Sequence, residues 1–215
     1  MQMNIVPTIN SATRRVPTWV LYTLLSLPAL YLTYALFTNQ LGSDPIRAYE
    51  REIGQWALKL IMVGLMVTPL RDWFKLNLIK YRRAIGVMAF LYVFLHLTAY
   101  LILDQSLIFA EIWKDIVKRP YITFGMASAV MMLPLVITSN NWSIRKLGPA
   151  KWNKLHKLVY FVGIGTVMHY LLLTKTWQLE PMLYVLVLFG LLTHRVLKLR
   201  KKRTVVSRAV SPALS

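Results

Sequence analysis

The sequence predicts an all-α integral membrane protein, with about six transmembrane helices in one bundle and both termini cytoplasmic. Three observations predict it. Of the 215 residues 56% are hydrophobic and the mean hydropathy is +0.48, above what an ordinary soluble domain carries. The apolar residues gather into runs of the roughly 20 residues that a spanning helix needs. The 26 Lys and Arg, against 8 Asp and Glu, fall between those runs and unequally from one gap to the next. The excess of positive charge therefore marks topology, and no nucleic-acid partner is expected.

A short segment, 1–16, carries Arg14 and Arg15 ahead of the first run. A signal peptide would begin in this way, but the run continues from Trp19 to Phe37 without an A-x-A-type cleavage site, which predicts an uncleaved helix over 17–38. The second helix is expected over 53–70, after a loop in which Arg47 and Arg51 face Asp44, Glu50 and Glu52. The next loop has Arg71, Lys75, Lys80, Arg82 and Arg83 against Asp72 alone, and leads into a third helix over 84–103. The loop after it balances Lys114, Lys118 and Arg119 with Asp104, Glu111 and Asp115. Within it Ile108, Ile112 and Ile116 recur at four-residue spacing, as in an interfacial amphipathic helix over Leu107 to Val117. A fourth helix, 121–139, precedes Arg145, Lys146, Lys151, Lys154 and Lys157, a loop without acids. The fifth, 155–174, is followed by Lys175 and Glu180, and the sixth spans 180–197. The remaining residues, 198–215, form a basic tail with no periodicity, expected to be disordered after Lys202 and to touch anionic lipid. Because basic loops stay cytoplasmic, both termini and the second and fourth loops belong on that side. Residues 17–197 are then one transmembrane domain.

The absence of cysteine excludes iron–sulfur clusters, thiolate zinc sites, catalytic thiols and disulfides. Three of the four histidines, His96, His156 and His169, fall in or at the edge of predicted spans, where ionisable side chains are costly and usually functional. The third and fifth helices run in the same direction, so depth follows from counting. His96 lies 14 residues after Arg82 and His169 lies 13 after His156, about 21 and 20 Å along a helix. The two imidazoles are thus expected at one depth, in the outer half of the bilayer, as axial ligands of one heme iron. A single buried histidine ordinarily hydrogen-bonds a neighbouring helix; two at equal depth on parallel helices favour ligation. Two imidazoles with no open position suit electron transfer rather than oxygen activation.

The other candidates each keep two readings. His156, near the cytoplasmic interface, either binds a second heme or other cofactor together with Arg82 or is an interfacial residue, and on an ideal helix it stands about 140° away from His169. Arg82 either anchors a propionate or phosphate or is a basic residue at a helix end. Lys59 either snorkels outward or pairs with a propionate. His194, beside Arg195, is left out of the site. Gly86, Gly163 and Gly165 would let a flat macrocycle approach the backbone, although glycine is common in membrane helices.

Thr68-Pro69-Leu70-Arg71, Tyr81-Arg82-Arg83-Ala84-Ile85-Gly86, Phe90-Leu91-Tyr92 and Leu95-His96 together resemble the MsrQ (YedZ) family. So do Leu147-Gly148, Trp152, Leu155-His156-Lys157-Leu158-Val159-Tyr160 and His169-Tyr170. These are heme-binding membrane subunits of methionine sulfoxide reductase systems, within the ferric reductase-like transmembrane superfamily. The resemblance covers residues from about 12 to 203. It implies a multi-pass protein of the bacterial inner membrane with heme b and FMN. It further implies that electrons come from the quinone pool or a cytoplasmic flavin reductase and pass to MsrP, a periplasmic molybdenum subunit that repairs oxidised periplasmic proteins. By position His96, His156 and His169 match the family's functional histidines. Superfamily oxidases carry two histidine pairs, and Arg82 stands where one inner histidine would, which puts a second bis-histidine heme in doubt. The residues do not localise FMN. No catalytic centre of the chain's own is expected. The alternatives are a self-contained transmembrane ferric or oxygen reductase, for which a nicotinamide-binding G-x-G-x-x-G after a strand is missing, and a transporter or scaffold with structural histidines.

Overall fold

A chain in lipid has no water to satisfy its peptide groups, so a spanning segment becomes a helix that closes its own hydrogen bonds. The computed structural model describes residues 5–174 and 178–210, with side chains through Lys201; Lys175 of the fifth loop lies outside the described residues. Helices α1 (Ile5–Arg15), α2 (Thr18–Phe37), α3 (Pro45–Phe74) and α4 (Arg82–Thr98) come first, with a 3-10 turn at Ile79–Tyr81 ahead of α4. They are followed by α5 (Phe109–Lys118), α6 (Pro120–Ile137), α7 (Asn141–Leu155), α8 (Leu158–Leu173) and α9 (Leu179–Val210). Among the described residues five helices are long and apolar enough to cross a membrane, six if the pair α7 and α8, bent by 42°, counts as one span. The all-α, multi-pass architecture is as the sequence predicts.

Several boundaries differ for physical reasons. Helix α3 starts eight residues before the expected 53 and runs for 30 residues. Asp44 caps it by accepting from Arg47 N at 3.2 Å, Pro45 occupies its first turn, and Lys75 ends it at φ 59°. Hydropathy sees only its middle. The fourth loop is helical as α7, capped by Asn140 and kinked where Gly148 adopts φ 75° ahead of Pro149. Helix α9 continues as far as Val210. Between Gly190 and Pro212 the sequence has neither glycine nor proline to stop a helix. Residues 211–215 lie outside the described ones. The interfacial helix exists as α5, but Ile108 precedes its first turn. Ile112 and Asp115 pack inward, while Phe109 and Trp113 are 80% and 69% exposed.

Contacts between segments gather the basic stretches at one end of the bundle. Lys80 Nζ donates to Arg14 O at 2.9 Å, Arg83 Nη1 donates to Asn141 Oδ1 at 2.8 Å, and Asp72 binds Lys198 and lies 3.5 Å from His194 Nε2. The segment before α2, the second loop, the α7 segment and the end of α9 therefore lie together, the alternation that the charge pattern predicts.

The core runs through α2, α3, α4, α6, α8 and α9, with Ile53, Tyr92 and Val162 fully buried. Tyr92 carries its hydroxyl inside by donating to Leu25 O at 2.8 Å. Helices α3 and α4 form one close pair and α6 and α8 another. A methyl group on Gly165 would stand 2.2 Å from Ser128 Oγ, and one on Gly163 2.9 Å from Leu65 Cδ1. Both glycines thus bring helices together, and Gly86 faces open space.

Candidate functional site

The two close helix pairs meet at the end of the bundle away from the basic segments, and each contributes one imidazole. His96, in the last turn of α4, and His169, near the end of α8, have ring centres 6.1 Å apart and ring planes at 80°. The depth count from the sequence thus brings the intended residues together. His96 Nδ1 lies 2.9 Å from Glu50 O on α3, and His169 Nδ1 lies 2.7 Å from Tyr121 O on α6. A carbonyl oxygen only accepts, so each Nδ1 is the protonated nitrogen and donates, and each Nε2 keeps its lone pair. That is the outer-shell arrangement of a metal-ligating histidine, whose second nitrogen fixes tautomer and ring orientation.

The backing helices repeat one device. One turn beyond Glu50 stands Gly54, where a Cβ would come 3.1 Å from His96 Nδ1 and Cε1. One turn beyond Tyr121 stands Gly125, where a Cβ would come 2.8 Å from His169 Nδ1. In both halves a carbonyl holds the ring and a glycine four residues on leaves it room. After His96 the chain widens into a π turn over Ala99–Asp104, closed by Gln105 N donating to Tyr100 O at 2.9 Å, a feature frequent at functional sites.

The pair fits a heme iron. An imidazole nitrogen sits about 2 Å from a metal it ligates and its ring centre about 1 Å behind, so rings on opposite sides of one iron have centres about 6 Å apart. Among the described residues no group of three His, Asp or Glu could hold a bare metal ion. A porphyrin brings four equatorial nitrogens and asks the protein for two axial ligands.

His156 stands apart. It lies in the break between α7 and α8, so the helical-wheel angle to His169 does not apply. Its ring stacks on Trp152 with centres 3.8 Å apart, and its Nε2 is 3.0 Å from Thr138 Oγ1. Trp152 Nε1 donates to Thr138 O at 2.8 Å, and together these contacts clasp the end of α6 to the bend. Arg82 and Arg83 are near enough for their charge to act on the imidazole, while Arg82 itself lines a small cleft with Thr68, Tyr160, His194 and Arg195. Lys59 lies on the face of Trp56, 5.5 Å from its ring centre. His194, left out of the site on sequence grounds, joins Asp72 in the α3–α9 contact, its ring edge-on to Trp73 at 4.7 Å.

What sequence reasoning misses is the holding apparatus: the carbonyls of Glu50 and Tyr121 and the glycines Gly54 and Gly125. The one available signal is their common four-residue spacing, Glu50 to Gly54 and Tyr121 to Gly125.

The family model of ferric reductase like transmembrane components matches residues 53–167, a stretch that contains His96 and His156 and stops just short of His169. The chain is 46% identical over 178 residues to the protein-methionine-sulfoxide reductase heme-binding subunit MsrQ of Brucella ovis, covering 83% of this chain and 80% of that protein. The MsrQ proteins of Brucella canis and Brucella suis match to the same extent. No solved structure matches the chain.

Proposed function

Since this chain belongs to the MsrQ family of ferric reductase-like transmembrane components, we propose that it is a b-type cytochrome that carries electrons across the bacterial inner membrane. It serves a methionine sulfoxide reductase system and delivers to a periplasmic MsrP-type catalytic subunit. The observation that carries this reading is the pair of imidazoles with ring centres 6.1 Å apart, each tied at Nδ1 to a backbone carbonyl.

In this reading His96 and His169 are the axial ligands, Glu50 O and Tyr121 O orient them, and Gly54 and Gly125 leave space for the rings. When bound, the heme supplies a one-electron carrier at that level of the bilayer. With both imidazoles on its iron the heme would have no open position for oxygen, which suits a conduit. The basic segments face the cytoplasm by the positive-inside rule, so the imidazole pair lies toward the periplasm, beneath the segment Asp104 to Arg119. That segment is where the catalytic subunit docks. Electrons enter at the opposite end from the quinone pool or a cytoplasmic flavin reductase. The hydrogen bond of His156 to Thr138 favours a single heme over a second one at His156 and Arg82. FMN, implied by the family resemblance, has no residues assigned to it.

The reading is tested with purified chain in detergent, its heme reduced by limiting dithionite. Adding an MsrP-type subunit and methionine sulfoxide is expected to reoxidise it, whereas NADH alone gives no turnover. NADH oxidation without an added flavoprotein would instead identify a self-contained reductase, and a chain without Soret absorbance would identify a scaffold.

A further inference from the structure

Helix α1 is amphipathic and sits where spans leave the membrane: α2 begins at Thr18, α3 ends at Phe74 and α4 begins at Arg82. Its fastening is specific. The Asn10 side chain donates from Nδ2 to Lys75 O and accepts from Asn77 N, both at 2.9 Å, closing on the backbone of the second loop. Lys80 Nζ donates to Arg14 O at 2.9 Å and Val16 O at 2.8 Å, and the Tyr81 hydroxyl reaches Thr13 O and Val16 O. Helix and loop thereby border an open cavity of about 240 Å³ lined by Thr13, Arg14, Asn77, Ile79 and Lys80.

The lining has two cations and no acid. Arg14 uses Nε within its own helix, on Asn10 O at 3.2 Å, and among the described residues its two terminal amino groups, the fork that matches two oxygens of a phosphate, have no hydrogen-bond partner. Lys80 has two of its three N–H groups on carbonyls and, among the described residues, no hydrogen-bond partner for the third. Ile79 in the lining is 43% exposed, and along the chain on either side of Thr13 and Arg14, Ile5, Ile9 and Val16 are 60%, 39% and 41% exposed and Trp19 is 66% exposed. These are the apolar and aromatic groups that settle at the boundary of headgroup and acyl chain. A phosphate seated between Arg14 and Lys80 would therefore have acyl chains running down beside Ile9 and Trp19.

We infer that the cavity between α1 and the second loop is a binding site for the phosphodiester of an anionic phospholipid, which fastens α1 to the membrane surface. The level of the cavity and the apolar rim favour a lipid over a soluble phosphate. The site is independent of the imidazole pair.

Native mass spectrometry of the full chain, released from micelles containing equal phosphatidylglycerol and phosphatidylcholine, tests this. Phosphatidylglycerol adducts are expected to survive collisional activation that strips phosphatidylcholine. Arg14→Gln should reduce their retention about fivefold, the weight of one basic residue at a charged lipid surface. It leaves the clasp in place, because the clasp uses the Arg14 carbonyl. Arg145→Gln, an equal loss of charge at an exposed position in α7, should leave retention unchanged. Equal retention of the two lipids, an unaltered Arg14→Gln variant, or the same loss in Arg145→Gln would overturn the site. Displacement of phosphatidylglycerol by an equal concentration of inorganic phosphate would overturn its assignment to lipid.

Discussion

His96→Ala and His169→Ala should each remove most of the low-spin heme absorbance of the purified chain, while His156→Ala leaves most of it. The two ring centres stand 6.1 Å apart, with their protonated nitrogens turned to Glu50 O and Tyr121 O. Deleting either would leave a bound heme iron with one protein ligand in place of two. What heme remains should then shift to the high-spin form. His156 has its Nε2 on Thr138 and its ring on Trp152, so its removal loosens the α6 clasp without touching the iron. A dithionite-reduced minus oxidised spectrum, normalised to protein, separates these outcomes. Full retention in both His96→Ala and His169→Ala would refute the assignment.

Gly125→Ala is expected to lower heme affinity nearly as severely, although it removes no ligand. Its methyl group would lie 2.8 Å from His169 Nδ1, with the ring's Cε1 at 3.1 Å and Cγ at 3.3 Å, closer than real contacts allow. The ring has to swing, and the bond from Nδ1 to Tyr121 O breaks with it. Loss of such an outer-shell partner costs about 10- to 100-fold in metal affinity. Gly54→Ala should cost less, because its nearest approaches, at 3.1 Å to His96 Nδ1 and Cε1, can be relieved by a few tenths of an ångström. Hemin titration of the apoprotein, followed by Soret absorbance, ranks the two. A Gly125→Ala protein with unaltered affinity would show that the glycine serves only helix packing.

Depth was legible in the sequence because a helix is a ruler. From Arg82 to His96 the chain is one uninterrupted helix, α4, so counting residues measured distance. The count for His169 started at His156, which sits in the bend rather than in α8. It still reached the right level, since α8 itself is continuous from Leu158. The charge alternation was legible for the same reason that it works in a membrane: Lys and Arg at span ends report on sides, whatever the helices pack against. Amphipathic segments were less so. A hydropathy window passes over α1 and α7, and it trims α3 to its apolar middle, because caps such as Asp44 and Asn140 carry the information about where helices begin.

Glycine roles were not legible. Gly163 and Gly165 drew notice as a close pair, yet they face Leu65 and Ser128. Gly54, just after the charged Glu50-Arg51-Glu52, and Gly125, alone in an apolar stretch, are the two that face imidazoles. Which neighbour a glycine admits depends on which helices pair, and nothing in one chain's sequence states that α3 backs α4 while α6 backs α8. The inward face of α5 was missed for a related reason. Asp115 is buried because Arg119, at 3.2 Å, and the Tyr100 hydroxyl satisfy it, a pairing that periodicity does not reveal.

Electron paramagnetic resonance of the ferric, heme-loaded chain tests most directly whether His96 and His169 grip one iron. Imidazole planes 80° apart predict a strongly anisotropic low-spin signal dominated by a single low-field feature, as crossed axial ligands give. A purely high-spin signal from fully loaded protein would contradict it, because it would mean that the iron lacks one of the two imidazoles.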